Sequence, residues 1–225
     1  MSPILLGLLA FGPNIAAEPA PPTLAELASR ADLVAIAQLV HTEYRPREGT
    51  PEAGFALLRL LIPYKRPDSQ DVVAVYAERG QPAACFYPVE PDADERYLVF
   101  LRRRGDGQYE GEAPYCRLPV HVVAADGEYA LRWPLEGVKL PPEVAGEPLL
   151  FADRAAHLDP ARLAPSALED ALARWPAEML PDGRFRFTQG IRLTVIRPHI
   201  FPDGLPPPPH RRPRETRPAE TRAGE

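Results

Sequence analysis

Cysteine is almost absent from this sequence: Cys85 and Cys116 are the only two in 225 residues. They form no Cys-x-x-Cys motif, and no two histidines have His-x-x-x-His spacing, so the usual four-ligand zinc site is excluded. Serine is scarce as well. Ser2, Ser29, Ser69 and Ser166 are the whole set, and none sits in the Gly-x-Ser-x-Gly elbow of the common serine hydrolases. Lysine occurs only at Lys65 and Lys139, so the cations are nearly all arginine. The net charge is −5, which argues against a nucleic-acid binder. No apolar run reaches the about 20 residues that span a bilayer. No internal repeat and no phosphate-cradling glycine loop is visible.

Proline is in excess, with 30 residues, well over twice the usual share of about 5%. Arg, Pro, Ala and Gly are all favoured by GC-rich codons, so the arginine bias is read first as genome composition. The prolines still mark joints of the fold, because proline breaks helices and is excluded from central strands. With 45% hydrophobic and 25% charged residues the composition is globular. A core drawn from about 150 residues needs no metal or staple to fold.

Ile4-Leu5-Leu6-Gly7-Leu8-Leu9-Ala10-Phe11 has the length of a signal-peptide core. Gly12-Pro13 ends it, and Ile15-Ala16-Ala17 offers a cleavage site before Glu18. Residues 1–17 therefore read as a signal peptide, though no Lys or Arg precedes the run. No cysteine follows it, so a lipoprotein anchor is ruled out. Export places the protein in the periplasm or outside the cell. In that oxidising compartment an even pair of cysteines reads as one disulfide, Cys85–Cys116. The alternatives are metal ligation or a nucleophilic thiol. In the second case His121, five residues beyond Cys116, or His41 would act as base.

Residues 18–23 are a Pro-rich leader. Thr23 is a candidate N-cap, with Glu26 at the capping-box position of a short helix. Asp32–Val40 is apolar on both faces and reads as a buried strand. Phe55–Ile62, Asp71–Tyr76 and Arg96–Leu101 read as further strands. Gly105-Asp106-Gly107 is a hairpin turn, and Asp126-Gly127 a second one between Leu118–Val123 and Glu128–Trp133. Beyond Pro134 the chain turns irregular. Ser166–Trp175 is an amphipathic helix, Gly183–Thr188 alternates like an exposed strand, and Ile191–Ile200 fits either a strand or a short helix. Residues 202–225 lack an apolar period and read as a disordered Pro/Arg-rich tail.

Five or six short strands in about 120 residues suggest a small closed barrel. The order of local patterns adds to this. Ala31-Asp32-Leu33-Val34 opens the series, and a long strand ends at Leu61-Ile62-Pro63-Tyr64-Lys65. Ala83-Ala84-Cys85-Phe86, Glu95-Arg96-Tyr97-Leu98-Val99 and Gly111 to Cys116 follow. Over residues 24–125 this order resembles the netrin-like domain of the tissue inhibitors of metalloproteinases and their bacterial relatives. The resemblance implies an oligonucleotide/oligosaccharide-binding (OB) barrel. The inhibitors chelate a protease zinc through an N-terminal Cys-x-Cys, and no cysteine precedes Cys85 here. The fold implied is mainly β: an OB-like netrin-type barrel over 24–133 and a small α+β extension over 134–201.

Several side chains are candidates for a binding surface on such a barrel. Arg102, Arg103 and Arg104 could meet an anionic partner, or form an ordinary charged strand end with the acidic turn Asp92, Asp94 and Glu95. Tyr44, Tyr87 and Tyr109, with Phe86 and Tyr97, could stack on sugars or pack in the core. The acidic turn lacks the spacing of a calcium loop. The expected function is that of an exported, non-enzymatic binding module of the bacterial envelope. It would recognise a protein or glycan through a barrel face, without cofactor, metal, nucleic acid or membrane span. Two alternatives stand beside it. One is a protease inhibitor acting by a loop or an N-terminal ridge at Pro19–Thr23. The other is a cysteine-dependent enzyme using Cys116 and His121.

Overall fold

The computed structural model describes residues 20–135, 137–162 and 165–207. The expected signal peptide, the first two leader residues and the expected tail beyond residue 207 lie outside the described residues.

The chain opens with α1 (Leu24–Arg30), and its capping box is formed as the sequence requires. The Thr23 hydroxyl accepts from the Glu26 N–H, and the Glu26 carboxylate accepts from the Thr23 N–H at 2.7 Å. Lys65 closes the other end of the helix by donating its ammonium to the Ala28 and Ala31 carbonyls.

Five strands then make a closed barrel. They are β1 (Leu33–Arg47), β2 (Thr50–Lys65), β3 (Val72–Glu78), β4 (Arg96–Arg103) and β5 (Tyr109–Gly111). The order round the barrel is β1-β2-β3-β5-β4, closed by β4 against β1. The β3–β5 pair is parallel and the others are antiparallel. This mixed five-stranded barrel is consistent with an OB-like fold. β1 and β2 form one long hairpin whose turn, Glu48-Gly49, has positive φ at both residues (52° and 77°). That is the geometry that matches the twist of the flanking strands.

Two short strands continue the sheet outward from β4, β6 (Leu118–Val122) and β7 (Tyr129–Arg132), and after a Pro-rich stretch β8 (Glu147–Pro148) forms its far edge. Then come β9 (His157–Leu158), α2 (Pro165–Arg174), β10 (Ala177–Met179) and β11 (Phe185–Phe187). β9, β10 and β11 make a separate three-stranded sheet. The segment that fitted strand or helix is both: β12 (Gln189–Arg192) pairs with β7 and β8, and α3 (Leu193–Ile200) follows directly. Gly190 lies where a Cβ would come within 2.7 Å of the Phe151 ring and 2.9 Å of the Leu131 carbonyl, so only glycine fits between them.

Two apolar cores share the β1–β4 wall. Leu33, Ala35, Val99 and Leu101 point into the barrel with Leu58, Val75 and both cysteines. Their neighbours Val34, Ile36, Leu98 and Phe100 point outward into a second core with α1, α3 and β7. Residues 134–201 thus contribute to the same sheet and cover one side of the barrel. A third cluster, with Phe151 and Phe187, lies under the small sheet.

Candidate functional site

The barrel has a second wall, formed by β2 and β3. Its inner side is core: Ala56, Leu58, Val73 and Val75 are buried in the barrel. Its outer side follows from the register. Phe55 lies opposite Tyr76 and Leu57 opposite Ala74, while Arg59 lies opposite Val72. On the neighbouring strand Glu43 faces Phe55, His41 faces Leu57, and Arg45 faces Ala53. Tyr76 in turn faces Glu110, which faces Arg102. The exterior row therefore runs Glu43, Phe55, Tyr76, Glu110, Arg102 across all five strands.

Phe55, Leu57, Ala74 and Tyr76 are partly exposed, and Val72 is 47% exposed. They form an apolar strip with a charged rim of both signs. The Tyr76 hydroxyl donates to Glu78 at 2.9 Å, and the Arg104 guanidinium stacks on the Tyr76 ring, 4.3 Å from its centroid. The hydrogen bond to Glu78 raises the Tyr76 hydroxyl above its ordinary value, while Arg104 and Arg45 act the other way. The rim is thus partly preorganised and the centre is partly exposed.

The expected surface residues divide between this face and the core. Arg102 reaches this face, its side chain 62% exposed, and pairs with Glu110 at 3.3 Å. Arg104 pairs with Asp106 and Glu110. Arg103 points the other way: its guanidinium meets Asp68, and its N–H donates to Asp32. The three arginines are therefore rim and brace groups, each facing a carboxylate. Tyr87 and Tyr109 are 2% and 1% exposed and fill the barrel, so the stacking surface expected of them is not formed. The Tyr87 hydroxyl donates to the Cys116 carbonyl at 2.6 Å, and burial pushes it far above its ordinary pKa. Tyr44 accepts from the Tyr87 N–H and packs edge-on against Phe86. Tyr97 stacks edge-on to Tyr87 and donates to Glu95.

Cys85 and Cys116 form the expected disulfide inside the barrel. No described cysteine is free. His121 is turned elsewhere. Its Nδ1 lies 2.9 Å from the buried Asp153 carboxylate, and its ring packs on Phe151. Asp153 also accepts from the Val122 and Ala156 N–H groups, which ties β6 to the segment entering β9. The structure does not bring a thiol to His121. The acidic turn is dispersed: Asp92 accepts from the Asp94 N–H, Asp94 pairs with Arg96, and Glu95 is held by Tyr97. Among the described residues no group of three or more His, Cys, Asp or Glu is gathered as for a metal ion. No described helix is long and apolar enough to cross a membrane.

A cleft of about 430 Å³ adjoins the edge of the open face. Arg30, Glu26 and Pro22 line one side, and Phe100, Arg102 and Glu112 the other. Pro22 and Thr23, the described end of the expected ridge, are fastened to Lys139 by a backbone hydrogen bond and a β-bridge. Phe55, Leu57 and Tyr76 were not singled out by the sequence as surface residues. Their strand reads as apolar on both faces, and the register alone shows which side is uncovered.

No family model, no curated protein and no solved structure matches this chain.

Proposed function

We propose that this chain is a non-enzymatic binding module, exported to the bacterial envelope, that recognises a protein through the outer face of β2 and β3. One observation carries the reading. The chain packs α1 and α3 over Val34, Ile36, Leu98 and Phe100 outside one barrel wall, and leaves a partly exposed apolar strip on the other, centred on Phe55, Leu57 and Tyr76. An apolar centre with a charged rim is the anatomy of a protein-binding patch, and sheet faces of this size are rarely left apolar without a partner. Barrels with this strand order commonly bind along strands 2 and 3. The disulfide supports an oxidising compartment. The Cys85, Tyr97-Leu98-Val99 and Cys116 order within a closed barrel supports the netrin-type reading.

The test is a photo-crosslinking residue placed at Leu57 and, as a control, at Met179, which is 70% exposed on β10. Expressed in the native host, the Leu57 probe is expected to give a discrete adduct with an envelope protein that the Met179 probe does not give. Adducts from both sites in equal yield, or from neither, would overturn the reading.

A further inference from the structure

The rim of the β2–β3 face is unbalanced in a way that points to the partner's chemistry. Arg47, Arg96, Arg102 and Arg103 on the barrel strands each face a carboxylate within 4 Å. Arg45 and Arg59 are exposed on the same strands and have no ion-pair partner among the described residues. In a chain of net charge −5 with 31 acidic residues, these two exposed arginines frame one apolar strip with no described carboxylate paired to either. Arg45 lies opposite Ala53, six positions along β2 from Arg59. The two charges therefore mark the ends of the strip, about 20 Å apart at the rise of a strand. Between them run Phe55 and Leu57, with Tyr76 and Ala74 beside them on β3. His41 and Glu43 also face the strip from β1, and Glu78 is occupied by the Tyr76 hydroxyl. Glu43 stands at the Phe55 row, so an acidic group is disfavoured at the middle and favoured at the two ends.

We infer that the partner presents an extended segment with acidic side chains at two positions about six residues apart and apolar side chains between them. This rests on the reading of the β2–β3 face as a protein-binding surface. The apolar strip supplies burial, and the two free guanidinium groups set the register by pairing with carboxylates at the ends. A carbohydrate would satisfy the strip but gives no reason for two unpaired cations at this separation.

The experiment is selection of phage-displayed random peptides, about 12 residues long so that they span the strip, on the intact chain. Binding of the enriched peptides is then measured to the wild type, to the double variant Arg45→Glu/Arg59→Glu, and to Leu57→Asp. The expected result is enrichment of acid–apolar–acid peptides. Both variants are expected to bind them about tenfold more weakly or worse, with melting temperatures within a few degrees of the wild type. Peptides lost on Leu57→Asp but unaffected by the arginine variant would overturn this inference and leave the face as the binding surface. Peptides indifferent to both would overturn the face itself. A failure to enrich any peptide, with purified glycan strands bound in a Leu57-dependent way, would assign the strip to carbohydrate and overturn the inference.

Discussion

Val34, Ile36, Leu98 and Phe100 point outward from the β1–β4 wall and are closed over by α1 and α3. Phe55, Leu57, Ala74 and Tyr76 point outward from the β2–β3 wall and carry no covering element among the described residues. The inner sides of both walls share one core. The difference is therefore a matter of what lies above each wall. An apolar outward residue adds about 1.5–3 kcal/mol when the chain itself buries it fully, and a residue left partly exposed keeps only the remaining fraction of that free energy for a partner. On the proposed function, stability and recognition belong to opposite sides of one small barrel.

The sharpest way to break this comparison is to place a charge on each wall. Ile36→Asp would bury an unpaired carboxylate between the barrel and α1, a loss above about 4 kcal/mol that few domains survive. Leu57→Asp is expected to shift stability by no more than about 1 kcal/mol while abolishing binding. Urea denaturation decides it; equal losses at both positions would mean that the second wall is covered too. Next in size is the staple. Replacing both Cys85 and Cys116 by Ala frees a 31-residue separation. Loop closure then predicts a loss of about 3–4 kcal/mol at 25 °C, seen as an earlier urea midpoint.

Asp153 tests how the cover is fastened. Asp153→Ala leaves the His121 Nδ1 and two backbone N–H groups without their acceptor, with an expected loss of about 3 kcal/mol. Hydrogen exchange should accelerate first in β6 and in residues 153–158. Uniform acceleration over the whole barrel would contradict a local fastening. Thr23→Ala removes the α1 cap at a cost of about 1 kcal/mol, measured by thermal melting, and leaves peptide binding at the opposite wall unchanged.

The smallest expected effect is a pH dependence at Glu95. Burial holds its carboxyl above the ordinary carboxylate value, against the Tyr97 hydrogen bond. Folded Glu95 therefore keeps its proton more tightly than the unfolded chain does. Stability falls as pH rises from the ordinary value through the raised one. Glu95→Gln is expected to melt higher than the wild type near about pH 7, with the gap closing near about pH 4. A gap that widens on acidification would reverse the sign and exclude burial as the cause.

Much of the barrel is legible in the residues. Asp32–Val40 reads as apolar on both faces because both faces of its Leu33–Ala37 stretch are covered, one by the barrel and one by α1 and α3. The Thr23–Glu26 cap and the Gly105-Asp106-Gly107 and Asp126-Gly127 turns are local signals, and local geometry satisfies them, while the Cys85–Cys116 pair is read from cysteine number and compartment. The β1–β2 hairpin was harder to read. The strands read as Asp32–Val40 and Phe55–Ile62 run on past those bounds, and Pro46 and Pro51 pair across the ladder at its distal end. The open face was not legible at all. Phe55-Ala56-Leu57-Leu58 has the pattern of Leu33-Val34-Ala35-Ile36, and no sequence period records whether a helix arrives later to cover it. Tyr87 and Tyr109 show the converse: their rings sit inside because the narrow barrel needs their volume, and Tyr87 still finds a carbonyl for its hydroxyl.

Scarcity of lysine has a practical consequence. Lys65 is consumed in holding the end of α1, with its ammonium bound to two carbonyls. Lys139 is exposed and sits beside the start of the same helix, on the covered side of the barrel. Among the described lysines, amine-directed coupling therefore falls on Lys139 rather than on the β2–β3 face. A molecule tethered through that lysine would stand on a surface with its open wall turned to solution, oriented by its own composition.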